Sequence, residues 1–391
     1  MGVNEGGYDG GMVSVMDAGR GGGEPWFAHA DAERGPRVGV IAEIGVNHDG
    51  DAERAAQLIR AAAEAGADAV KFQLFRPERL LSREAGLAAY QDGQAEGVRE
   101  LLEKLRLDAP QLATLRRVAT DAGLLFLVTP FSPADVADLE WIGVDGVKIA
   151  SPDAVNRPLL EAAAGLGRPM LISTGTCELD ELQPAAGFAR GDAVGGPAGG
   201  VDVAKNRGAE TAASFVSGAL LQCVSAYPTP DREAALGGIG VLRRRFDVAV
   251  GYSDHTAALD TGALAVAAGA CLLEKHLTHD RGAVGPDHAA SVEPAQLAEY
   301  VRAARRAAAM LGPVVKTCGA VEADVRRVAR QSVCSTRDLP AGHVLQPADL
   351  TVKRPGSGLP PAELGRLPGR RLARAVGSDT PLRSEHLEPA T

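Results

Sequence analysis

Two histidines stand where short apolar runs of the chain end. His255 follows the run Asp247–Gly251 in the segment YSDH, and His276 follows Cys271–Leu273 in the segment EKHLTHD. If the two runs are neighbouring strands, roughly 4.8 Å apart, both imidazoles can reach one cation. Two protein ligands leave coordination positions open for water or substrate, as a Lewis-acid site needs. We therefore interpret His255 and His276 as candidate metal ligands, with a structural or surface role as the alternative.

Two lysines, Lys71 and Lys148, lie beside apolar residues in runs of the same kind. A buried ammonium group is costly unless it faces an anion, so these positions indicate an anion pocket. A salt bridge to a neighbouring carboxylate is the alternative that the sequence leaves open. Hydroxyls near the ends of further runs would complete a pocket for a phosphate and a carboxylate. They are Thr129, Ser151, Ser173 and Ser253.

Carboxylates form the third set of candidate residues, and the candidates for catalysis among them are Glu43, Asp153 and Asp287. Glu43 ends the first apolar run, and Asp287 lies in the segment GPDH beyond the last one. Either could transfer a proton or position water beside a metal. Glu274, two residues before His276, is expected to share its face of the strand and to support it. Asp254 is expected to point away from the site or to cap the next helix.

Eight short apolar runs contain or shortly precede these residues, apart from Asp287 beyond the last run, and helix-like stretches rich in Ala, Leu and Arg separate the runs. Alternating strands and helices imply a parallel sheet, and eight such units predict an α/β fold, the closed (β/α)8 TIM barrel. In that barrel the carboxyl ends of the strands face the active site. The runs are Val38–Ile44, Ala69–Phe75, Leu124–Phe131, Gly146–Ile149, Pro169–Ser173, Ala219–Val224, Asp247–Gly251 and Cys271–Leu273.

The remaining segments predict the domain organisation. Residues 1–36 are Gly-rich and indicate a disordered tail, and the barrel is expected over 37–311 with a Gly-rich insertion at 187–208. A linker at 312–329 leads to a small β-rich domain at 330–391, which has nine Lys or Arg against six Asp or Glu. A basic domain on an acidic barrel suggests that it folds over an anionic cleft, its own or a partner's.

Composition bounds the function. The chain has 391 residues and a formal net charge of −9, which argues against a general nucleic-acid or membrane binder. Five widely spaced cysteines without a Cys-x-x-Cys pair indicate free thiols in a reducing compartment. The first residues lack the pattern of a signal peptide. We therefore expect a cytoplasmic enzyme.

Taken in order, the motifs resemble those of the sialic acid synthases, the family that makes N-acetylneuraminate and the related legionaminic and pseudaminic acids. The resemblance covers about residues 38–390 and includes, in the tail, DLPAG and TVKRPGSG of an antifreeze-like (SAF) domain. The matching barrel segments are EIGVNHDG, VKFQ, TPFS, KIAS, STG, YPTP, GYSDHT, EKH and GPDH.

The resemblance implies a reaction and a cofactor. Phosphoenolpyruvate condenses with the open-chain aldehyde of an N-acylated hexosamine, such as N-acetylmannosamine, and gives a nonulosonic acid and phosphate. The family uses Mn²⁺ or Mg²⁺, held by histidines that match His255 and His276. Glu43 matches a glutamate near the metal and water. The family's phosphoenolpyruvate-binding positions match Lys71, Thr129, Lys148, Ser151, Ser173 and Ser253.

On the sugar side, the resemblance implies roles for Tyr227 and Asp287. Arg354, in the VKRPG motif, matches an arginine that reaches across a domain-swapped homodimer to the N-acetyl group. Two features depart from the family pattern: Asp153 stands where the family often has Glu, and the insertion at 187–208 is longer than expected. Both concern the sugar side, so the acceptor is left open.

Three alternatives remain at this point. A legionaminate- or pseudaminate-type synthase would use a diacetamido-trideoxyhexose as acceptor. A 3-deoxy-octulosonate 8-phosphate synthase would share the barrel chemistry, but that class lacks the VKRPG domain. A non-catalytic carbohydrate-binding protein would need no metal beside a pocket for a trianion, so the two lysines and two histidines argue against it.

Overall fold

The computed structural model describes residues 38–85, 97–192, 218–312 and 315–389. The predicted tail at 1–36 and most of the predicted Gly-rich insertion lie outside these ranges. The chain divides into two compact units, Met1–Pro313 and Val314–Thr391.

Eight parallel strands of the first unit close into a barrel in which each strand pairs with the next along the chain and the eighth pairs with the first. The prediction of a TIM barrel is confirmed. The strands are β1 (Gly39–Gly45), β2 (Ala69–Leu74), β3 (Leu125–Pro130), β4 (Gly146–Ile149), β5 (Met170–Ser173), β6 (Ala219–Cys223), β7 (Ala249–Asp254) and β8 (Leu272–His276).

Helices lie between these strands, and their apolar faces form the main core against the outside of the barrel. Short 3₁₀ turns accompany several of them. The helices of this unit are α1 (Ala52–Glu64), α2 (Pro77–Leu80), α3 (Val98–Leu105), α4 (Ala109–Asp121), α5 (Val136–Ile142), α6 (Arg157–Gly165), α7 (Gln183–Arg190), α8 (Gly237–Phe246), α9 (Thr261–Ala267) and α10 (Pro294–Leu311).

Side chains alternate along each strand, and this alternation builds the barrel interior. Near the amino ends an apolar layer that includes Ile41, Ala69 and Leu272 fills the interior. Two residues further along the same strands the interior positions are Glu43, Lys71 and Glu274, all buried. The barrel therefore has an apolar base and, one layer above it, a charged layer towards the carboxyl ends.

The last two strands run further than the apolar runs predicted. β7 continues through Asp254 and β8 through His276, because the charges in these extensions are paired inside the protein. Lys275 Nζ lies 3.1 Å from Asp254 Oδ2, and both side chains are fully buried. Asp254 does not cap α9; it accepts hydrogen bonds from Thr256, as expected for a residue outside the site.

The second unit is small and has its own core. Helix α11 (Ala323–Ala329) precedes an antiparallel pair, β9 (Ser332–Ser335) and β10 (Leu350–Lys353). Isolated bridges and 3₁₀ turns connect the remaining chain. Its core contains Val333, Leu339, Leu345, Leu350, Leu367, Leu372, Val376 and Leu382. The small β-containing domain predicted after the barrel is therefore present.

Candidate active site

A cavity of about 700 Å³ opens above the charged layer of the barrel. Among the residues that line it are all but one of the candidate residues chosen from the sequence, and the exception is Arg354. That volume is typical of a site for small molecules. The candidates in the cavity are Glu43, Lys71, Thr129, Lys148, Ser151, Asp153, Ser173, Tyr227, Ser253, His255, His276 and Asp287.

Lys71, on β2, faces Glu43, on β1, with 2.5 Å between Nζ and Oε1. Gln73, two residues along the same strand face, donates to the same carboxylate oxygen at 3.0 Å. Burial raises the pKa of Glu43 to about 7, and neighbouring Glu274 adds to that rise, while Lys71 opposes it. Glu43 Oε2 has no hydrogen-bond partner. Glu43 can therefore exchange a proton near neutral pH and still has an oxygen free for a ligand.

Lys148, on β4, belongs to a second buried lysine–glutamate pair. Its Nζ donates to Ser173 Oγ at 2.7 Å and lies 3.5 Å from Glu274 Oε1, which also accepts from Ser253 Oγ at 2.8 Å. Burial lowers the pKa of Lys148. Burial would raise the pKa of Glu274, but Lys148 and Lys71 outweigh it and hold that pKa at about 2. Glu274 stays ionised between the two lysines and preserves their charge.

Two further hydroxyls line the same side of the cavity. Ser151 Oγ accepts from the Gly175 amide at 3.0 Å. Thr129 Oγ1 is buried and has no hydrogen-bond partner. Burying an unpaired hydroxyl costs roughly 1–3 kcal/mol. Together with the lysines, these groups can hold a compact anion with several oxygens.

The two histidines lie at the carboxyl ends of neighbouring strands, His255 directly after β7 and His276 as the last residue of β8, with ring centroids 5.2 Å apart. His255 Nδ1 lies 2.8 Å from the Val224 carbonyl, so this nitrogen is the donor and Nε2 keeps its lone pair. His276 Nδ1 is buried without a hydrogen-bond partner. Burial, with a smaller contribution from His255, holds the pKa of His276 well below its usual value, so the ring is neutral. Burial would lower the pKa of His255, but Cys223 and the Val224 carbonyl outweigh it and raise that pKa. A divalent cation held by the two imidazoles would therefore displace a proton from His255 when that ring is charged.

Other protein ligands do not complete that set. No three His, Cys, Asp or Glu residues within the described ranges are arranged to hold a metal ion. Asp287 Oδ2 lies 3.5 Å from His276 Nδ1, and burial raises the pKa of Asp287. A cation at the histidines would therefore take further ligands from water or substrate.

Tyr227 and Asp153 mark the outer part of the cavity. The Tyr227 ring stacks on His255 at 4.1 Å between centroids and meets the edge of His276 at 5.7 Å. Asp153 Oδ1 accepts from Asn156 Nδ2 at 2.9 Å. Burial raises the pKa of Asp153. Both side chains are half-buried and line the cavity, so they can be reached from it.

Three residues of the cavity carry contacts that the sequence argument missed. Gln73 and Cys223 line it, and Glu274 contacts Ser253 and Lys148 rather than serving only as a support for His276. Cys223 Sγ lies 3.8 Å from His255 Nδ1. The alternation of side chains along a strand could have predicted the position of Cys223, because it lies two residues after Leu221, an interior position of β6.

One side of the cavity is apolar. We call it the apolar wall and define it as Val46, Phe75, Leu80, Leu101, Leu102 and Phe131, which also pack on one another. Its residues follow β1, β2 and β3 or lie on α2 and α3. The wall therefore belongs to the rim of the barrel, whereas the charged groups belong to its strands.

Arg354 lies in the second unit, directly after β10, and is exposed. It is not among the residues that line the cavity. Within the described ranges, no helix is long and apolar enough to cross a membrane. All five cysteines fall in those ranges and are free thiols.

Comparison with known proteins agrees with this architecture. Residues 58–316 match the NeuB family and residues 330–388 match the SAF domain. The chain is 35% identical to N,N'-diacetyllegionaminic acid synthase of Legionella pneumophila, over 89% of this chain and 94% of that one. It is 32% identical to human N-acetylneuraminate-9-phosphate synthase, over 88% and 91%.

A solved structure is similar in the same way. The crystal structure of N-acetylneuraminic acid synthetase from Leptospira borgpetersenii, in complex with citrate, superimposes with a TM-score of 0.61 at 32% identity. The match covers 74% of this chain and 90% of that one.

Proposed function

The chain belongs to the NeuB family, and from that membership we propose that it is a nonulosonic acid synthase. It condenses phosphoenolpyruvate with the open-chain form of an N-acylated hexosamine and releases inorganic phosphate. The observation that carries the proposal is the pair of buried lysines beside a buried hydroxyl that has no hydrogen-bond partner. Such a set is costly to the fold and suits a small polyanion.

Phosphoenolpyruvate binding is assigned to the base of the cavity. Lys71 and Lys148 provide the two ammonium groups. Burial opposes the charged form of each, Glu43 and Glu274 favour that of Lys71, and Glu274 favours that of Lys148. Phosphate and carboxylate oxygens accept hydrogen bonds from the surrounding hydroxyls, including the unpaired Thr129. The residues assigned to this subsite are Lys71, Thr129, Lys148, Ser151, Ser173 and Ser253.

The acceptor aldehyde would lie towards His255 and His276, which would hold Mn²⁺ or Mg²⁺. Such a cation, when bound, polarises the aldehyde oxygen. The C3 carbon of phosphoenolpyruvate attacks the aldehyde carbon, and the aldehyde oxygen takes up a proton to become a hydroxyl. Water adds at C2 and loses a proton, and phosphate leaves C2 as the ketone forms there. Glu43 is placed to accept the proton of that water, because its pKa is near 7 and one of its oxygens is free.

Sugar contacts are assigned to Tyr227, Asp153 and Asp287, which line the cavity. Asp153 is one methylene shorter than the family's Glu, so its direct contact with the sugar would be lost or replaced by a contact through water. Arg354 of a partner subunit would donate to the acyl oxygen, because a planar guanidinium suits that group. The enzyme would then work as a domain-swapped homodimer.

Phosphate release from phosphoenolpyruvate tests the proposal. We expect release only when a divalent cation and an N-acylated hexosamine are present, together with a nonulosonic acid detected by mass spectrometry. Phosphate release without an acceptor, or no release with any acceptor, would contradict it. A protein that binds sugar but turns over neither substrate would support the non-catalytic alternative.

The domain swap has its own test, which mixes two inactive proteins after subunit exchange. One carries His276→Ala and the other Arg354→Ala, so one mixed dimer has an intact barrel beneath an intact tail. We expect part of the activity to return. If mixed dimers form and stay inactive, each tail serves its own barrel and the swap is wrong.

A further inference from the structure

Asp287 depends on the chain around it for its position in the cavity. Its Oδ2 lies 3.5 Å from His276 Nδ1, which is longer than a normal hydrogen bond of about 2.7–3.2 Å. A side chain that meets a substrate must be held within about 0.5 Å of its productive position. The role described below rests on the proposed function, in which Asp287 contacts the acceptor.

Asn47 connects the end of β1 to the end of β8. It lies two residues after β1 and is fully buried. Its Nδ2 donates to the Leu277 carbonyl at 2.9 Å and to Ser291 Oγ at 2.8 Å. A side-chain amide has two N–H donors, so both are used. Because Leu277 directly follows His276, this amide holds the chain beside that histidine and also the segment that contains Ser291.

Ser291 connects Asn47 to Asp287. Its side chain is almost fully buried, and its Oγ donates to the Asp287 carbonyl at 2.6 Å. A hydroxyl has a single hydrogen to donate, so Ser291 accepts from Asn47 and donates to Asp287. Hydrogen bonds that follow one another in this way polarise each other and become stronger. The chain of contacts that begins at Asn47 therefore ends at the backbone of Asp287.

His288 provides a second anchor for the same segment. The ring is fully buried, with Nε2 3.0 Å from Asp49 Oδ1 and Nδ1 2.7 Å from Thr278 Oγ1. Gly285 packs against this ring so closely that a Cβ atom there would lie 2.6 Å from His288 Cδ2. The backbone that carries Asp287 is therefore held at two neighbouring residues.

We propose that Asn47 is a positioning residue of the reaction, which acts through Ser291 on the placement of Asp287. A displacement of about 1 Å in an active site can reduce the rate by roughly 100-fold. Asn47 is not among the described residues that line the cavity, so its effect on the acceptor passes through the Asp287 carboxylate. The alternative is that Asn47 only stabilises the end of the barrel.

Kinetics and binding of Asn47→Ala separate the two roles. We expect kcat/KM for the acceptor to fall by roughly 10- to 100-fold. The affinity for phosphoenolpyruvate, measured by isothermal titration calorimetry, should stay unchanged, because Lys71 and Lys148 do not contact this chain of hydrogen bonds. Weaker phosphoenolpyruvate binding with an unchanged kcat/KM for the acceptor would overturn the proposal.

Ser291→Ala interrupts the same contacts and keeps Asn47, so it tests the proposal even if Asn47→Ala does not fold. We expect kcat/KM for the acceptor to fall about threefold to tenfold. The matched control is Ser335→Ala in the second unit, whose buried hydroxyl donates to the Gly377 carbonyl and accepts from the Thr380 amide. It should lose similar heat stability and keep its kcat/KM. An equal fall in both variants would contradict the positioning role.

A double-mutant cycle with Asp287→Asn gives a readout that a purely structural role would not change. If Ser291 acts through the Asp287 carboxylate, Ser291→Ala should alter the rate of the Asp287→Asn protein by less than about twofold. Phosphate release is followed at high enzyme concentration, so that slow rates are measured. Losses that multiply in the double variant would overturn the proposal.

Failure of the proposed function would be distinct. The unsubstituted enzyme would then release no phosphate from phosphoenolpyruvate with any N-acylated hexosamine, and the positioning role would be refuted with the function. Phosphate release by the unsubstituted enzyme, together with full activity of Asn47→Ala and Ser291→Ala, would refute the positioning role alone.

Discussion

The buried carboxylates of the two units differ in how many of their oxygens accept a hydrogen bond. In the second unit, Asp349 accepts from His343 Nε2 at 2.7 Å, from the Gln346 amide at 2.9 Å and from Arg337 Nε at 2.9 Å. Both carboxylate oxygens are used. In the barrel, Glu43 and Glu274 each keep one oxygen without a hydrogen-bond partner. The first arrangement is complete without a ligand, and the second is not.

This difference in hydrogen bonding predicts which buried groups contribute to stability and which contribute to function. A fully paired carboxylate stabilises its fold, whereas buried atoms without partners lower stability until a ligand supplies the missing contacts. Thr129 Oγ1 and His276 Nδ1 are also unpaired, and both line the same cavity. Substitutions in the barrel should therefore remove activity, and those at Asp349 should remove stability.

The largest effect is expected for His276→Ala. A metal site contributes several kcal/mol to the transition state, so phosphate release should fall by roughly 100-fold or more. A chelator should stop the unsubstituted enzyme, and Mn²⁺ or Mg²⁺ should restore it but not the variant. An active His276→Ala protein would show that no essential cation is bound there.

Thr129→Val sharpens the comparison, since it removes an unpaired hydroxyl and nearly preserves shape. We expect the affinity for phosphoenolpyruvate to fall about tenfold, because one hydrogen bond to a charged group is lost, with no loss of heat stability. The matched control is Thr174→Val, whose hydroxyl donates to the Leu221 carbonyl at 3.0 Å. That variant should lose roughly 1 kcal/mol of stability. A loss of heat stability in Thr129→Val together with weaker phosphoenolpyruvate binding in Thr174→Val would contradict this distinction between unpaired and paired hydroxyls.

Asp349→Asn tests the carboxylate whose two oxygens both accept hydrogen bonds. Burial would raise the pKa of Asp349, but His343, the Gln346 amide and Arg337 outweigh it and hold the pKa at about 2. The pKa of Asp349 is lower in the folded chain than in the unfolded chain, where it is about 3.9. The ionised carboxylate therefore stabilises the fold at pH values above about 3.9, and this stabilisation is lost as pH falls towards 2. By calorimetry, the variant should lose roughly 1–3 kcal/mol at pH 7, and the difference should shrink between about pH 4 and pH 2. If the difference in stability stayed constant over that pH range, the ionised Asp349 carboxylate would not be its cause.

The smallest effect concerns Asp135, which holds α2 through Arg76 and Arg79. Asp135→Asn should raise the acceptor KM roughly threefold to tenfold, equivalent to about 1 kcal/mol, and leave the phosphoenolpyruvate KM unchanged. Asp68→Asn is the control, because Asp68 pairs with Arg305 at the amino end of β2. A fall in kcat alone, or the same KM change in both variants, would argue against a positioning role.

Much of the fold could be predicted because each strand is marked by its own apolar run. The ends of β7 and β8 could not be predicted, because charged residues such as Asp254 and Lys275 indicate a loop unless their ion pair is known. The same limit applies to Glu274: periodicity places it on the interior face, but its contact with Lys148 lies across the closed barrel, with three strands between β4 and β8 on either side. Strand order therefore predicted which residues meet, and the pairing of their charges required the structure.

The apolar wall was the largest omission from the sequence argument. Its residues come from α2, α3 and the segments after three different strands, so no single apolar run marks it. Leu101 and Leu102 look like ordinary core positions of an amphipathic helix. Only the placement of α3 over the cavity gives them a second role.

Equilibrium binding of phosphoenolpyruvate to the unsubstituted enzyme and to Lys148→Met tests the central claim most directly. We predict saturable one-site binding that weakens by roughly 30-fold or more in the variant, because removing one partner of a desolvated charge contact costs about 2–5 kcal/mol. Isothermal titration calorimetry with the full chain gives both constants. Equal affinities would show that the buried charges of the barrel do not form the phosphoenolpyruvate site.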